Sequence, residues 1–301
     1  MTLFEARKQF LSHCKSAISL SPHTLRAYCS DLHDIQNYFG FRKRLDSVEK
    51  DQLRHYIRHL REHRQFKETT IKRRLASLKL LFKWATQETF IKINPFDSLN
   101  ERIRLPRRLP RALDRADQAI LRRAVATTSR TDDFNMVRAK TAIHLMLDTG
   151  IRVGELVAID LNDLSLANNC LVINGKGNRQ RLVYLLQRPL CRKIEQYLTW
   201  RSSVQTCSEK LFVNSNGNAI LPQSVRVGLR DISKKAGISR HVTPHMLRHT
   251  CATQWLEAGI DIRYVQKLLG HQSISTTEIY THVSDQGLRE ALLKATGGGK
   301  R

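Results

Sequence analysis

A histidine and an arginine that could bind phosphate lie three residues apart, at His245 and Arg248. Thr243 can cap a helix, and Pro244 suits the first helical position, where its missing N–H costs nothing. Residues three apart share one face of a helix, and Gly259 is a typical stop. A cation and an imidazole near a helix N-terminus suit an anion, so this segment predicts a phosphate-binding helix.

Further segments carry residues that could complete such a site. Arg152 stands in a glycine-framed, otherwise apolar stretch, where a charged side chain must be paired or point into a site, and Glu155 could support it. Lys176 lies at the tip of a predicted glycine turn between two strands, although an ordinary exposed lysine is the plainer interpretation of that turn alone. The remaining candidates are His271, which follows a predicted helix stop, and Tyr280.

These residue types together could break a phosphodiester without a metal ion. Two arginines can donate forked hydrogen bonds to the charge that develops on the equatorial oxygens, and two histidines can donate hydrogen bonds or move protons. Tyr280 can attack phosphorus, giving a phosphotyrosine and a free 5′-hydroxyl, whose oxygen Lys176 can protonate. Neither an acidic two-metal cluster nor a nucleotide-binding P-loop stands out, so no metal or other cofactor is expected. Each residue alone is weak evidence, because a single tyrosine usually lies in a core or on a surface.

Net charge is the strongest property of the whole chain. Its 301 residues include 51 lysines and arginines against 27 acidic residues, a formal charge of +24. The basic excess is spread over both halves of the chain, which favours a polyanionic partner and above all nucleic acid. A ribosome-associated protein and a merely basic surface are the alternatives that charge alone leaves open.

Composition argues against several other classes of protein. Hydrophobic residues make up 41% of the chain and charged residues 26%, which indicates a globular rather than a disordered protein. No apolar run of about 18 residues occurs, so no membrane span is expected, and the charged N-terminus does not fit a signal peptide. Six scattered cysteines predict neither a zinc site nor a disulfide framework, and a cytoplasmic location fits.

Residues 1–101 predict an N-terminal domain of four amphipathic helices. The fourth helix begins near Thr69, places its apolar residues on one stripe and ends before Asn94-Pro95. Its opposite face is basic, and simple solvation is the plainer interpretation of such a face. Because acidic residues that could pair with it are few nearby, we expect DNA contacts from Lys72, Arg73, Arg74 and Lys79.

Residues 102–115 predict a basic linker, because prolines block a helix and repeated arginines favour an extended, solvated chain. Residues 116–301 predict a second domain, with a buried helix near 132–149, a hairpin, a further strand at 211–213 and an amphipathic tail at 285–295. The fold class is therefore mainly α with a small β-sheet: an N-terminal helical bundle plus an α/β catalytic domain. The linker arginines that could follow DNA phosphates are Arg104, Arg107, Arg108 and Arg111.

Five segments, in this order, resemble the tyrosine recombinase (phage integrase-like) family: TGIRVGEL, GKGN, TPHMLRHTCAT, VQKLLGH and STTEIYTHV. The stretch SPHTLRAY near the N-terminus is similar to the Xer subgroup. The resemblance covers nearly the whole chain and implies an acidic support position at Glu155. It places six residues on the family's catalytic positions, namely Arg152, Lys176, His245, Arg248, His271 and Tyr280.

The resemblance implies a site-specific DNA recombinase, with a SAM-like core-binding domain and a tyrosine recombinase catalytic domain that close as a clamp on double-stranded DNA. It implies strand cleavage and rejoining through a covalent 3′-phosphotyrosine and a Holliday junction, in integration, excision or resolution of DNA elements. It also implies a homo- or hetero-tetramer on recombination sites, with the C-terminal tail packed on a neighbouring protomer.

Two other activities are compatible with parts of this pattern. A type IB topoisomerase-like nicking and closing activity shares the chemistry but lacks sequence-specific synapsis of two sites. A non-catalytic accessory DNA-binding protein would not need the complete set of six residues, so their joint presence argues against that interpretation.

Overall fold

The computed structural model describes residues 1–17, 20, 22–99, 112–175 and 180–270. The chain divides into two compact units, residues 1–108 and 109–301. Both are built mainly of helices and the second contains a small sheet, so the predicted fold class is confirmed. Outside the described residues lie Lys176, His271, Tyr280, Arg104, Arg107, Arg108, Arg111 and the predicted tail at 285–295.

The first unit contains the four predicted helices. Thr2 Oγ1 accepts a hydrogen bond from the Glu5 amide, and the Glu5 carboxylate accepts one from the Thr2 amide, so a capping box begins the first helix. Apolar side chains from the helices meet in one core. The helices are α1 (Leu3–Ser16), α2 (Pro22–Phe39), α3 (Lys50–Glu62) and α4 (Glu68–Gln87).

The exposed basic face of α4 is smaller than its sequence predicts. Arg74 is only 8% exposed and pairs with Asp34 of α2, so the prediction that it lies on the exposed face is wrong. The guanidinium of Arg73 is about half exposed and pairs with Asp31, which is fully buried. The reason is that α2 turns two carboxylates towards α4, and a buried carboxylate requires a charged or hydrogen-bonding partner. Of the predicted set, Lys72, Arg73 and Lys79 remain exposed, and Arg73 is held by its ion pair with Asp31.

The second unit is organised around one buried helix, as the sequence predicts. Nearly every side chain between Val137 and Leu147 is buried, and these side chains form the centre of the core. The helices of this unit are α5 (Arg115–Ala126), α6 (Phe134–Thr149), α7 (Val153–Ala158), α8 (Arg188–Ser202), α9 (Pro222–Lys235), α10 (Pro244–Glu257) and α11 (Ile262–Leu269). The buried helix is α6, and it packs against α5, α8, α9 and α10.

A three-stranded antiparallel sheet lies in the second unit, in the order β1 (Leu164–Ser165), β2 (Cys170–Asn174) and β3 (Gln180–Tyr184). The predicted hairpin is confirmed as β2 and β3. The prediction of a strand at 211–213 is wrong, and Leu164–Ser165 is the third strand instead. In the described part of the chain this segment forms isolated bridges rather than a continuous ladder, Lys210 with Asp160 and Val213 with Ala219. Between these bridges the Tyr197 hydroxyl donates to the Leu211 carbonyl and accepts from the Val213 amide, each over 3.1 Å.

Residues 112–115, predicted as the end of the linker, belong to the second unit. Leu113 is buried, and its amide donates to Thr250 Oγ1 over 2.8 Å. Asp114 caps α5 by accepting the Asp117 amide over 2.8 Å. None of the helices in the described ranges combines the length and the apolar composition that crossing a membrane requires.

Candidate active site

Helix α10 begins as its sequence predicts. Thr243 Oγ1 accepts the Met246 amide over 3.4 Å, and Pro244 occupies the first turn. His245 is exposed in this turn, whereas Arg248, one turn later, is only 4% exposed. A buried guanidinium needs hydrogen-bond partners that fix its orientation, and the neighbouring elements supply them.

Two main-chain carbonyls hold Arg248. Its Nη1 donates to the Gly150 carbonyl over 2.8 Å, and its Nη2 donates to the Leu269 carbonyl over 2.7 Å. A carbonyl orients a guanidinium but does not neutralise it, and arginine cannot lose its proton in a protein. Arg248 therefore presents an oriented cation from the protein interior.

Gly150 allows the two carbonyls to approach each other. It ends α6 in the left-handed region, with φ of +63°, which favours glycine. A Cβ at this position would lie 2.8 Å from Cδ2 of Leu269 and 3.3 Å from Sγ of Cys251. Because Gly150 has no side chain, the end of α6 can pack closely against α10 and α11. This packing brings the Gly150 and Leu269 carbonyls within reach of Arg248.

Arg152 and Glu155 make the local contacts that their spacing predicts. Arg152 is the N-cap of α7, and its amide donates to Oε2 of Glu155 over 2.8 Å. Its Nη1 donates to Oε1 of the same carboxylate, also over 2.8 Å. The Arg152 side chain remains 41% exposed, so its guanidinium is oriented by Glu155 and is accessible to a ligand.

Sequence reasoning missed Arg181, on β3. Its Nη1 and Nη2 donate to Oε1 and Oε2 of Glu155 over 3.1 and 2.8 Å, and its Nε donates to the Leu268 carbonyl over 2.9 Å. The signal was available, because alternate residues of a strand share a face and Arg181 alternates with the buried Val183 and Leu185. A charged residue on the buried face of a strand implies a partner inside the protein.

Three consecutive carbonyls at the end of α11 accept hydrogen bonds from three different arginines. Leu268 accepts from Arg181, Leu269 accepts from Arg248, and Gly270 accepts from Nη2 of Arg152 over 3.4 Å. The last carbonyls of a helix lack partners within the helix, so this end is a natural acceptor for cations. The Glu155 carboxylate pairs with Arg152 and Arg181, and the three arginines and Glu155 together carry a net charge of +2.

Two titratable groups at the site are held in one protonation state near neutral pH. Burial raises the pKa of Glu155, but hydrogen bonds and charges from Arg181 and Arg152 outweigh burial and lower that pKa to about 2. Burial, aided by the charges of His245 and Arg248, lowers the pKa of His249 to about 4. Glu155 is therefore ionised and His249 is neutral. Within the described ranges, no group of three or more His, Cys, Asp or Glu side chains is arranged to hold a metal ion.

Comparison with known protein families finds a match for each of the two units. Residues 117–287 match the model of the phage integrase family, and residues 8–89 match the phage integrase N-terminal SAM-like domain. The chain belongs to the phage integrase family. Members of this family are tyrosine recombinases, and the chain is accordingly an enzyme that breaks and rejoins DNA strands in site-specific recombination.

Similar tyrosine recombinases match this family member over nearly its whole length. Tyrosine recombinase XerC of Thermodesulfovibrio yellowstonii is 35% identical over 292 residues, which are 95% of this chain and 94% of the relative. XerC of Staphylococcus haemolyticus is also 35% identical, over 99% of this chain and 98% of the relative. The XerA recombinase structure is 26% identical with a TM-score of 0.55, covering 99% of each chain. The Tn1549 transposon integrase, solved in complex with transposon right end DNA, shares the fold, with a TM-score of 0.79 at 19% identity over 98% and 99% of the chains.

Proposed function

We propose that Arg152, Arg248 and His245 bind the scissile phosphate of a DNA recombination site, together with Lys176, His271 and Tyr280. The observation that carries this proposal is the convergence of Arg152 and Arg248 on adjacent carbonyls at the end of α11. His271 follows Gly270 directly in the chain, and Lys176 follows Gly175 after β2. Chain connectivity therefore supports a common site for residues that lie far apart in sequence.

Arg152, Arg181, Arg248 and Glu155 form an arginine cluster, and its net charge of +2 suits phosphoryl transfer. A phosphodiester carries one negative charge, and further negative charge accumulates on its oxygens as the nucleophile attacks. Fixed guanidinium groups stabilise that charge without reorganising during the reaction. The cluster thus complements the transition state better than the ground state, and only such a difference accelerates the chemical step.

In the proposed cleavage step, Tyr280 Oη attacks phosphorus and loses its proton to His245 or His271, while the bond from phosphorus to the 5′ oxygen breaks. His245 and His271 accept or donate protons and hydrogen bonds at the phosphate, and Lys176 gives a proton to the leaving 5′ oxygen. The products are a 3′-phosphotyrosine and a free 5′-hydroxyl. Attack by a 5′-hydroxyl of a second strand reverses these events, so rejoining needs no external energy source.

We further propose that the exposed Lys72 and Lys79 contact the DNA backbone, together with Arg104, Arg107, Arg108 and Arg111 of the predicted linker. Arg73 is a weaker candidate, because its guanidinium pairs with Asp31. The complete reaction would proceed through a Holliday junction in a tetramer, with the C-terminal tail of one protomer on its neighbour. The overall charge of +24 supports extended contact with a polyanion.

The test is to trap covalent protein–DNA adducts on fragmented chromosomal DNA of the source organism, using denaturation with detergent. Wild type and Tyr264→Phe should form adducts, since Tyr264 is an exposed tyrosine of α11 outside the proposed chemistry. Tyr280→Phe should bind DNA but form none. Adducts that persist in Tyr280→Phe would contradict the assignment of the nucleophile.

Sequencing the trapped DNA supplies the substrate for a second measurement. Two copies of the recovered sequence on one plasmid should be recombined by the wild type. Relaxation of the plasmid without exchange between the two copies would favour the topoisomerase-like activity instead. In the first measurement, DNA binding by the wild type without any covalent adduct would favour an accessory DNA-binding protein.

A further inference from the structure

Arg181 is the one charged side chain on the inward face of β3. Its side chain is 12% exposed, and its neighbours on that face, Val183 and Leu185, are buried in the core. Removing a guanidinium from water is costly unless each of its donors finds an acceptor. The hydrogen-bond acceptors of Arg181 therefore indicate which parts of the structure this side chain holds in place.

Those acceptors belong to two other elements of the proposed site. Both carboxylate oxygens of Glu155, on α7, accept from the Nη atoms of Arg181, and the Leu268 carbonyl, on α11, accepts from its Nε. This two-oxygen geometry fixes the plane of the carboxylate more firmly than a single hydrogen bond would. A single side chain of β3 thus connects the sheet to the start of α7 and to the end of α11.

The Glu155 carboxylate has a second task, because the same two oxygens accept from the amide and the Nη1 of Arg152. If Arg181 were removed, the carboxylate could rotate, and Arg152 would lose its fixed support. Arg152 itself would remain present, charged and 41% exposed. Loss of Arg181 should therefore change the orientation of the Arg152 guanidinium and leave its charge unaltered.

The fit at Gly270 shows how closely Arg181 packs against the end of α11. A Cβ at Gly270 would lie 2.9 Å from Nη1 of Arg181 and 3.2 Å from its Cζ. Gly270 also has φ of +67°, in the left-handed region. A side chain at this position would therefore push the Arg181 guanidinium from its place and would strain a backbone conformation that favours glycine.

We propose that Arg181 is a positioning residue for DNA cleavage: it orients Arg152 through Glu155 and fixes the end of α11 against the sheet. It does not touch the phosphate. The inference rests on the proposed role of Arg152 at the scissile phosphate. A displacement of catalytic groups by about 1 Å can slow a reaction by about 100-fold, which sets the size of the expected effect.

The test compares Arg181→Met with Arg192→Met, which removes the same charge from an exposed position on α8. Single-turnover adduct formation is measured on a nicked duplex carrying the trapped sequence, at saturating protein. We expect Arg181→Met to be slower by about 100-fold, with DNA affinity within about threefold of that of the control. Arg181→Lys, which keeps the charge but cannot donate to both Glu155 oxygens and to Leu268 at once, should fall between the two.

A double-mutant cycle distinguishes positioning from general damage to the fold. If Arg181 acts through Glu155, the combined loss of rate in Arg181→Met with Glu155→Gln should be smaller than the product of the two single losses. Arg192→Met with Glu155→Gln should give the simple product. Independent effects at Arg181 and Glu155, loss of DNA affinity in step with the rate, or a rate equal to that of the control would each overturn the proposal. Failure of the proposed function itself is separate, because it would appear before Arg181 is changed, either as adducts in Tyr280→Phe or as a wild type that forms none.

Discussion

Replacement of Arg248 with lysine tests directly whether cleavage depends on the guanidinium that two main-chain carbonyls orient. Arg248 reaches the Gly150 and Leu269 carbonyls with two different nitrogens, over 2.8 and 2.7 Å. Lysine keeps the positive charge, but it carries one nitrogen on a flexible stem and cannot reproduce a planar fork. The variant therefore changes geometry while leaving net charge unaltered, so any loss reports on orientation.

The expected magnitude has two parts. One buried carbonyl loses its partner, which costs about 1–3 kcal/mol in the free energy of unfolding and lowers the melting temperature by about 2–12 °C for a unit of this size. Loss of one oriented donor to developing charge typically slows a reaction by about 100- to 1,000-fold, or about 3–4 kcal/mol in the barrier. The loss of rate should therefore exceed what the loss of stability alone explains.

The assay is single-turnover adduct formation on the nicked duplex, at a temperature where circular dichroism shows the variant fully folded. Arg192→Lys is the matched control, because it makes the same exchange at an exposed position. We expect the control to match the wild type in both rate and melting temperature. A rate for Arg248→Lys within about tenfold of the wild type would refute the role given to the guanidinium fork.

Two further predictions concern the same corner of the fold. Gly270→Ala should lower the melting temperature and the cleavage rate more than Gly259→Ala, since both glycines have positive φ but a Cβ at Gly259 meets nothing within 4 Å; equal losses would contradict the packing argument. Because the pKa of Glu155 is lowered from 4.5 to about 2, its ionised form contributes stability above about pH 4.5, and this contribution is lost as the pH falls towards 2. The contribution is on the order of 3 kcal/mol. Urea unfolding at about pH 5 and about pH 2.5 measures how much the free energy of unfolding falls in acid. This fall should be smaller in Glu155→Gln than in the wild type, and equal falls would contradict the stabilising role of the ionised carboxylate.

Local sequence patterns predicted the parts of the site that local geometry determines. The cap at Thr243, the proline after it and the Arg152–Glu155 pair all depend on residues within one helical turn of each other. The hairpin was readable for the same reason, because alternation and a glycine turn are short-range signals. In each case the contact and the signal span the same few residues.

Long-range partners were not predictable in this way. Arg74 looked like an exposed cation on α4, because nothing near it in the sequence indicates Asp34, forty residues earlier. The carbonyls that hold Arg248 belong to a glycine and a leucine, and a main-chain acceptor has no side-chain signature. Arg181 could have been singled out by its position on the buried face of β3, but its partners on α7 and α11 depend on how those helices pack.

The end of α11 explains why the site can be both strongly charged and well ordered. Carboxylate partners for every arginine would have given order at the expense of the positive charge that phosphate requires. Here Arg248 is ordered by neutral carbonyls, and Glu155 is shared between Arg152 and Arg181, so the four side chains keep a net charge of +2. The same hydrogen bonds satisfy three carbonyls at the end of α11, where the helix itself supplies no donor. The arginines and the end of α11 therefore order each other, and disturbing either one should weaken both the fold at this corner and the rate of cleavage.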